Sequence, residues 1–152
     1  MATKTIATNR RARFDYTILE TFEAGLVLTG SEVKSLREGR ANLKDAYGIV
    51  KDEEAWLIGA HISPYTFARD GGHEPDRTRK LLLHRYEIRK IASRLAEKGL
   101  TLVPLSLYFK DGKAKVELGL GKGKARYDKR ETLKRRQADR EMERAMRHRS
   151  LD

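Results

Sequence analysis

Cationic side chains are clustered in this sequence. Arg10, Arg11 and Arg13 follow Asn9 near the start of the chain. Arg77, Arg79 and Lys80 stand together where "RTRK" enters an apolar run, and Lys122, Lys124 and Arg126 open a third group that continues to the C-terminus. Guanidinium and ammonium groups at this density point to phosphate, because a guanidinium forks onto phosphate oxygens and also stacks on bases. Phe14, Tyr16, Tyr65, Phe67 and Tyr127 lie near these cations and could stack bases. Glu23, between Phe22 and Ala24-Gly25, is an acid in basic surroundings. It reads either as an exposed turn residue or as an acceptor for a base edge or a 2′-hydroxyl.

Other chemistry finds little support. There is no Walker-type phosphate loop, no G-x-S-x-G and no H-E-x-x-H. His61, His73, His84 and His148 are scattered. The glycines of "GLGKGKA" lack dinucleotide-loop spacing, and no βαβ helix follows them. Asp52, Glu53 and Glu54 could be imagined as a magnesium nuclease site but read better as a solvated turn. No catalytic residue and no metal ligand is assigned, and no cofactor is expected.

Composition agrees with a polyanion partner. The 152 residues carry a net charge of +11, which favours nucleic acid or an anionic surface. Residues 122–150 hold 12 Lys or Arg against 5 Asp or Glu, more than half of the excess. That segment has only Leu133, Met142 and Met146 as sizeable apolar residues, which disfavours membrane binding. The chain has no cysteine, so disulfides and thiolate sites are excluded. No apolar run approaches the ~20 residues of a membrane span, and no secretory leader is visible, so a cytoplasmic location is expected.

These side chains need elements to position them. Residues 1–13 read as a loosely ordered basic arm and 14–121 as one domain. Residues 15–22 and 24–30 read as two short strands, joined at 23–25 by a tight connection or a bulge. "SEVKSLREG" reads as a helix capped by Ser31 and ended by Gly39, with Val33 and Leu36 inward and Lys34 and Arg37 available for phosphate. Residues 46–62 form a hairpin about "KDEE", 63–78 a loop and 79–83 a buried strand. Residues 84–99 form a helix with Ile88, Ile91, Ala92 and Leu95 on its apolar stripe. Residues 100–109 and 113–120 make a last hairpin, in which Pro104 requires a bulge or an edge. Six or seven short strands in local hairpins, with two or three helices, close most economically as a small antiparallel β-barrel of the oligonucleotide-binding type. Residues 122–152 form a basic tail. Its stripe of Ala138, Met142, Ala145 and Met146 is too thin to dock, so it is expected to be disordered when free and helical on a polyanion.

The stretches "NRRARFDY", "ETFEAGLVLTGSEVKSLREGRANL", "HEPDRTRKLLL", "VPLSLYFKDGKAKVELGL" and "GKGKARYDKRE" cover nearly the whole chain in order. They resemble the SsrA-binding protein (SmpB) family, the bacterial partners of transfer-messenger RNA. The resemblance implies a non-enzymatic factor of trans-translation. Its barrel would bind the tRNA-like domain of that RNA and deliver it to stalled ribosomes. Alanyl-tRNA synthetase and elongation factor Tu would be met indirectly, through the bound RNA. The resemblance carries RNA contact to Asn9, Arg11, Glu23, Lys80 and residues 122–124. It maps the family's tail motif onto Tyr127, Asp128, Lys129 and Arg130, which would act at the decoding centre. The following helix, with Lys134, Arg135, Arg136 and Arg140, would lie in the empty message channel. The alternative is a generic RNA-binding or RNA-processing protein on the same fold.

Overall fold

The computed structural model describes residues 3–65, 72–97, 99–124, 137 and 140–142. Among the described residues of 3–124 there are nine strands and three helices: β1 (Thr3–Thr8), α1 (Ala12–Asp15), β2 (Tyr16–Leu26), α2 (Gly30–Arg37), β3 (Ala41–Asn42), β4 (Tyr47–Lys51), β5 (Glu54–Ile58), β6 (His61–Ile62), β7 (Arg79–Leu82), α3 (Arg85–Leu95), β8 (Leu100–Lys110) and β9 (Lys113–Gly123). The main sheet runs β1-β8-β4-β5-β7-β2-β9, and a further β8–β9 pairing closes it. Six strands thus form an antiparallel ring, β8-β4-β5-β7-β2-β9, with β1 added on the free stretch of β8. β3 and β6 form a separate two-stranded ladder.

Alternation along the strands fills the ring. Phe22, Ala24 and Leu26 of β2, Ala55 and Leu57 of β5, and Val116, Leu118 and Leu120 of β9 point inward with Leu81, Leu102 and Leu107. α3 closes the barrel with Ile91, fully buried, and with Ile88 and Leu95 against the core. This is the stripe expected from its periodicity. The β4–β5 turn places Asp52 and Glu53 at φ 53° and 61°, and the β8–β9 turn places Asp111 and Gly112 at 51° and 78°. Both are two-residue turns whose twist suits a hairpin.

The structure corrects the sequence reading at several places. The segment expected to be a loose arm contains β1, which pairs with β8 from Thr3–Lys110 to Thr8–Ser106. The two strands expected about 23–25 are one. β2 runs unbroken through Glu23, and its register shift lies between Ile18 and Glu20. The cap of α2 is Thr29, not Ser31: Thr29 Oγ1 accepts from the Glu32 N–H at 3.4 Å, and Glu32 Oε1 accepts from the Thr29 N–H at 2.8 Å. The barrel also extends past 121, since β9 includes Lys122 and Gly123, and the Lys124 N–H donates to the Asp15 carbonyl at 3.1 Å.

Two features of β8 and β9 position the surface. Pro104 precedes a register shift in β8 between Pro104 and Ser106, the bulge its ring requires. The freed carbonyls hold Asn9: its side-chain N–H₂ donates to the Pro104 carbonyl and its backbone N–H to the Leu105 carbonyl, at 2.9 and 2.8 Å. Outside the ring, Ala12, Val103 and Leu105 form a second small core with Tyr16 and Ile18. Gly119 is its floor. A Cβ there would stand 3.0 Å from Leu105 Cδ1 and 3.1 Å from Ile18 Cγ2. The glycines of "GLGKG" are therefore part of strand β9 beneath this small core, not a phosphate loop.

Candidate nucleic-acid interface

The outer faces of β2, β9 and β8 carry the polar residues that the inner alternation leaves pointing outward. Glu23 pairs with Glu117, which pairs with Ser106; Gly25 pairs with Lys115, which pairs with Tyr108. The Glu23 carboxylate accepts a hydrogen bond from Tyr108 Oη at 2.6 Å and faces Lys110 Nζ at 3.4 Å. The Tyr108 hydrogen bond, with Lys110 and Lys115, holds the Glu23 carboxyl below the usual carboxylate range despite partial burial. Burial first, and then the same hydrogen bond, pushes the Tyr108 phenol up. Glu23 is thus an ionised acceptor, fixed in place and still 41% exposed. It lies mid-strand on a rigid sheet, not in a turn.

The N-terminal corner borders this face. Arg10 and Arg13 line a cleft of about 280 Å³ with Thr8, Ser106 and Glu117. On the other side of the corner, Arg11 and Lys124 both place their cations over the Phe14 ring, at 5.7 and 5.8 Å from its centroid. Arg11 also faces Asp15 at 3.7 Å. β9 and α1 therefore bring together two cation groups that lie far apart in the sequence, and Lys122 stands exposed beside them. Asn9, half-buried, directs its amide at Pro104 and so fixes the corner.

The middle group divides. Arg79 was expected to meet RNA, but its side chain is 0% exposed. Its Nε donates to Glu32 Oε2 at 2.5 Å, Nη1 to the Ala60 and Arg77 carbonyls at 2.7 and 3.0 Å, and Nη2 to the Pro75 and Glu74 carbonyls at 3.1 and 3.4 Å. A guanidinium with its donors engaged in the interior cannot reach a phosphate. Arg79 instead joins β7, α2 and the 74–77 segment. Glu32 is raised by burial, but hydrogen bonds from Arg77, the Thr29 N–H and Arg79 outweigh this and lower its pKa. Lys80 does point outward and meets Glu54 at 2.9 Å. Lys34 and Arg37 are exposed on α2, away from the Arg10–Glu117 cleft, with Lys34 over the Tyr65 ring at 5.5 Å.

Arg126, Tyr127, Asp128, Lys129, Arg130, Lys134, Arg135 and Arg136 lie outside the described residues, as does Phe67. Arg140 is described, helical and exposed. Tyr108, Lys110, Lys115 and Glu117 were not singled out by sequence, although the alternation of "YFK" and "KVE" carried the signal. Among the described residues no group of His, Asp or Glu could hold a metal, and no helix is long and apolar enough to cross a membrane.

A closed antiparallel ring with end helices and a basic-rimmed outer face defines a barrel of the oligonucleotide-binding type. Residues 6–148 match the family model described as "SmpB protein". The chain is 61% identical over 145 residues to the SsrA-binding protein of Gloeothece citriformis, covering 95% of this chain and 94% of that one. It is 57% identical over 145 residues to the SsrA-binding protein of Sulfurihydrogenibium sp., covering 95% of each. A chain solved in "tmRNA-SmpB: a journey to the center of the bacterial ribosome" superposes with a TM-score of 0.69 at 47% identity, covering 84% of this chain and 93% of that one. The chain belongs to the SmpB family.

Proposed function

We propose that this chain binds the tRNA-like domain of transfer-messenger RNA and delivers it to stalled ribosomes for trans-translation. The observation that carries this reading is the outer face of β2, β9 and β8, where a fixed Glu23 acceptor lies among Tyr108, Lys110 and Lys115. Arg10 and Arg13, which line a cleft with Glu117, and Lys122 further along β9 suit a phosphate backbone, while Glu23 suits a base edge or a 2′-hydroxyl. The relatives that carry the name SsrA-binding protein support the same RNA.

The tail completes the reading. Tyr127, Asp128, Lys129 and Arg130 probe the decoding centre, and the residues beyond form a helix in the empty message channel. Gln137 Nε2 donates to Glu141 Oε1 at 3.5 Å, an i,i+4 contact of the kind such a helix makes. The factor works in the cytoplasm, and alanyl-tRNA synthetase and elongation factor Tu are engaged through the bound RNA.

The test is a titration of the tRNA-like domain at several salt concentrations, with and without residues 125–152. The truncated chain is expected to keep its RNA affinity and lose rescue of stalled ribosomes. Loss of affinity as its main defect would refute this division of labour. Reproducible cleavage of RNA in magnesium would favour an RNA-processing enzyme instead.

A further inference from the structure

The hairpin of β4 and β5 departs from the usual pattern of a sheet with one face in solvent, where apolar and polar residues alternate. Ala55 and Leu57 of β5 are buried in the core, and so is Gly48 of β4. The alternate positions therefore face outward: Tyr47 and Ile49 from β4, Trp56 and Ile58 from β5. These four belong to neither core cluster and pack against neither. They pair across the hairpin, Tyr47 with Ile58 and Ile49 with Trp56. Ile49, Trp56 and Ile58 line an open groove of about 440 Å³ with Lys51, Asp52, Glu54 and Thr78. β5 reads "EAWLI", with no polar residue after Glu54, as strands covered on both faces do.

Along the outer wall of the ring the groove is linked to β2 by way of β7. Trp56 pairs with Lys80 on β7. Two residues on, Leu82 is 53% exposed and pairs with Gly25 of β2, which pairs in turn with Lys115 of β9. Charge separates the two surfaces. Lys80 is matched by Glu54 at 2.9 Å, and Lys51 stands beside Asp52 in the turn. A charge-balanced apolar groove does not recruit phosphate, but an uncharged π face fits it, and indole is a strong stacking partner. The Thr78 hydroxyl and Glu54 carboxylate are placed to meet polar base edges.

We propose that Trp56, walled by Ile49 and Ile58, is the stacking platform for an unpaired base of the RNA held on the Glu23 face. This extends the RNA footprint from β2–β9–β8 across β7 to β5, and it rests on the RNA-binding reading above. A protein segment could also cover an apolar groove; continuity with the phosphate-binding surface through Leu82 and Gly25 favours the RNA.

Trp56 is the only tryptophan of the chain, so the site contains its own reporter. The probe is an in vitro transcript of the tRNA-like domain of a transfer-messenger RNA, with its binding followed independently by anisotropy of a labelled end. Indole emission is expected to be quenched saturably with the same midpoint, and acrylamide access to Trp56 to fall severalfold at saturation. Trp56→Leu should weaken binding about tenfold, as loss of one stacked base does, and Trp56→Phe should retain most of it. Bound RNA that leaves both emission and acrylamide access unchanged overturns the proposal and assigns the groove to a protein. That arm needs no variant, so a folding defect in Trp56→Leu cannot obscure it. Failure of the transcript to bind at all overturns the functional reading as well.

Discussion

Replacing Arg79 with methionine separates a buried strut from a phosphate ligand. Arg79→Met keeps a long apolar stem and removes five polar contacts, one to Glu32 and four to backbone carbonyls. Glu32 stays buried: its Oε2 loses Arg79, while Arg77 Nη2 at 2.6 Å and the Thr29 N–H at 2.8 Å still hold Oε1. Breaking one side of a buried ion pair costs about 3–5 kcal/mol, and these remaining partners place this case near 3. With a urea m-value of about 2 kcal/mol/M, the unfolding midpoint should fall by about 1.5 M with the slope unchanged. Far-ultraviolet circular dichroism reads the transition, and Trp56 emission gives a second probe that should coincide with it. Arg79→Lys should recover only part of the loss, because a single ammonium cannot span Glu32 and the carbonyls of 60, 74, 75 and 77. RNA affinity of the folded fraction, and its salt slope, should not change. A variant with wild-type stability and weakened, less salt-dependent RNA binding would refute the burial of Arg79 and return it to the surface.

Other outcomes follow from the same geometry. Glu23 and Glu32 both ionise below the ordinary value of 4.5 when folded, so their contribution is present above the unfolded value and lost as pH falls through the folded ones. The urea midpoint should therefore hold from neutrality to about pH 5 and drop below 4.5, with a shallower acid limb in Glu32→Gln. Lys122→Gln and Arg13→Gln should each weaken RNA binding and reduce the slope of log affinity against log salt by about one, measured by titration at several salt concentrations. At Gly48 a Cβ would stand 2.5 Å from Leu102 Cδ2 and 2.9 Å from its Cγ. Gly48→Ala should therefore cost about 1–3 kcal/mol by denaturant unfolding, and Leu102→Val in the same chain should restore part of it.

Local signals were legible in the sequence. The apolar spacing of Ile88, Ile91 and Leu95 located α3, the Asp-Gly pair located the β8–β9 turn, and Pro104 called for a bulge or an edge, of which the structure takes the bulge. Each depends on neighbours within a few residues. What failed depends on distant partners. "TKTIAT" looks polar and loose until β8 offers it a free edge. Glu23-Ala24-Gly25 resembles a turn until β9 and β7 pair across it and hold it extended. Arg79 in "RTRK" is indistinguishable from a surface cation until Glu32, 47 positions away, is folded against it. The cations at both ends of the chain were each visible, but only the seating of Lys124 against Asp15 and Phe14 shows that they share one corner.

The closure of the ring sets a timetable for the chain's own synthesis. β9 separates β2 from β8, and Tyr16 finds its partner only when Gly123 has been made. Until β9 has emerged, β2 and β8 each present an unpaired edge, and the surface bearing Glu23, Tyr108 and Lys115 is incomplete. Such long-range pairing belongs to the slower folding classes. A growing chain is therefore unable to present this face to RNA until β9 has paired with both β2 and β8. The same interval exposes two edges open to misassembly, so prematurely ended products should aggregate rather than act as weak competitors for RNA.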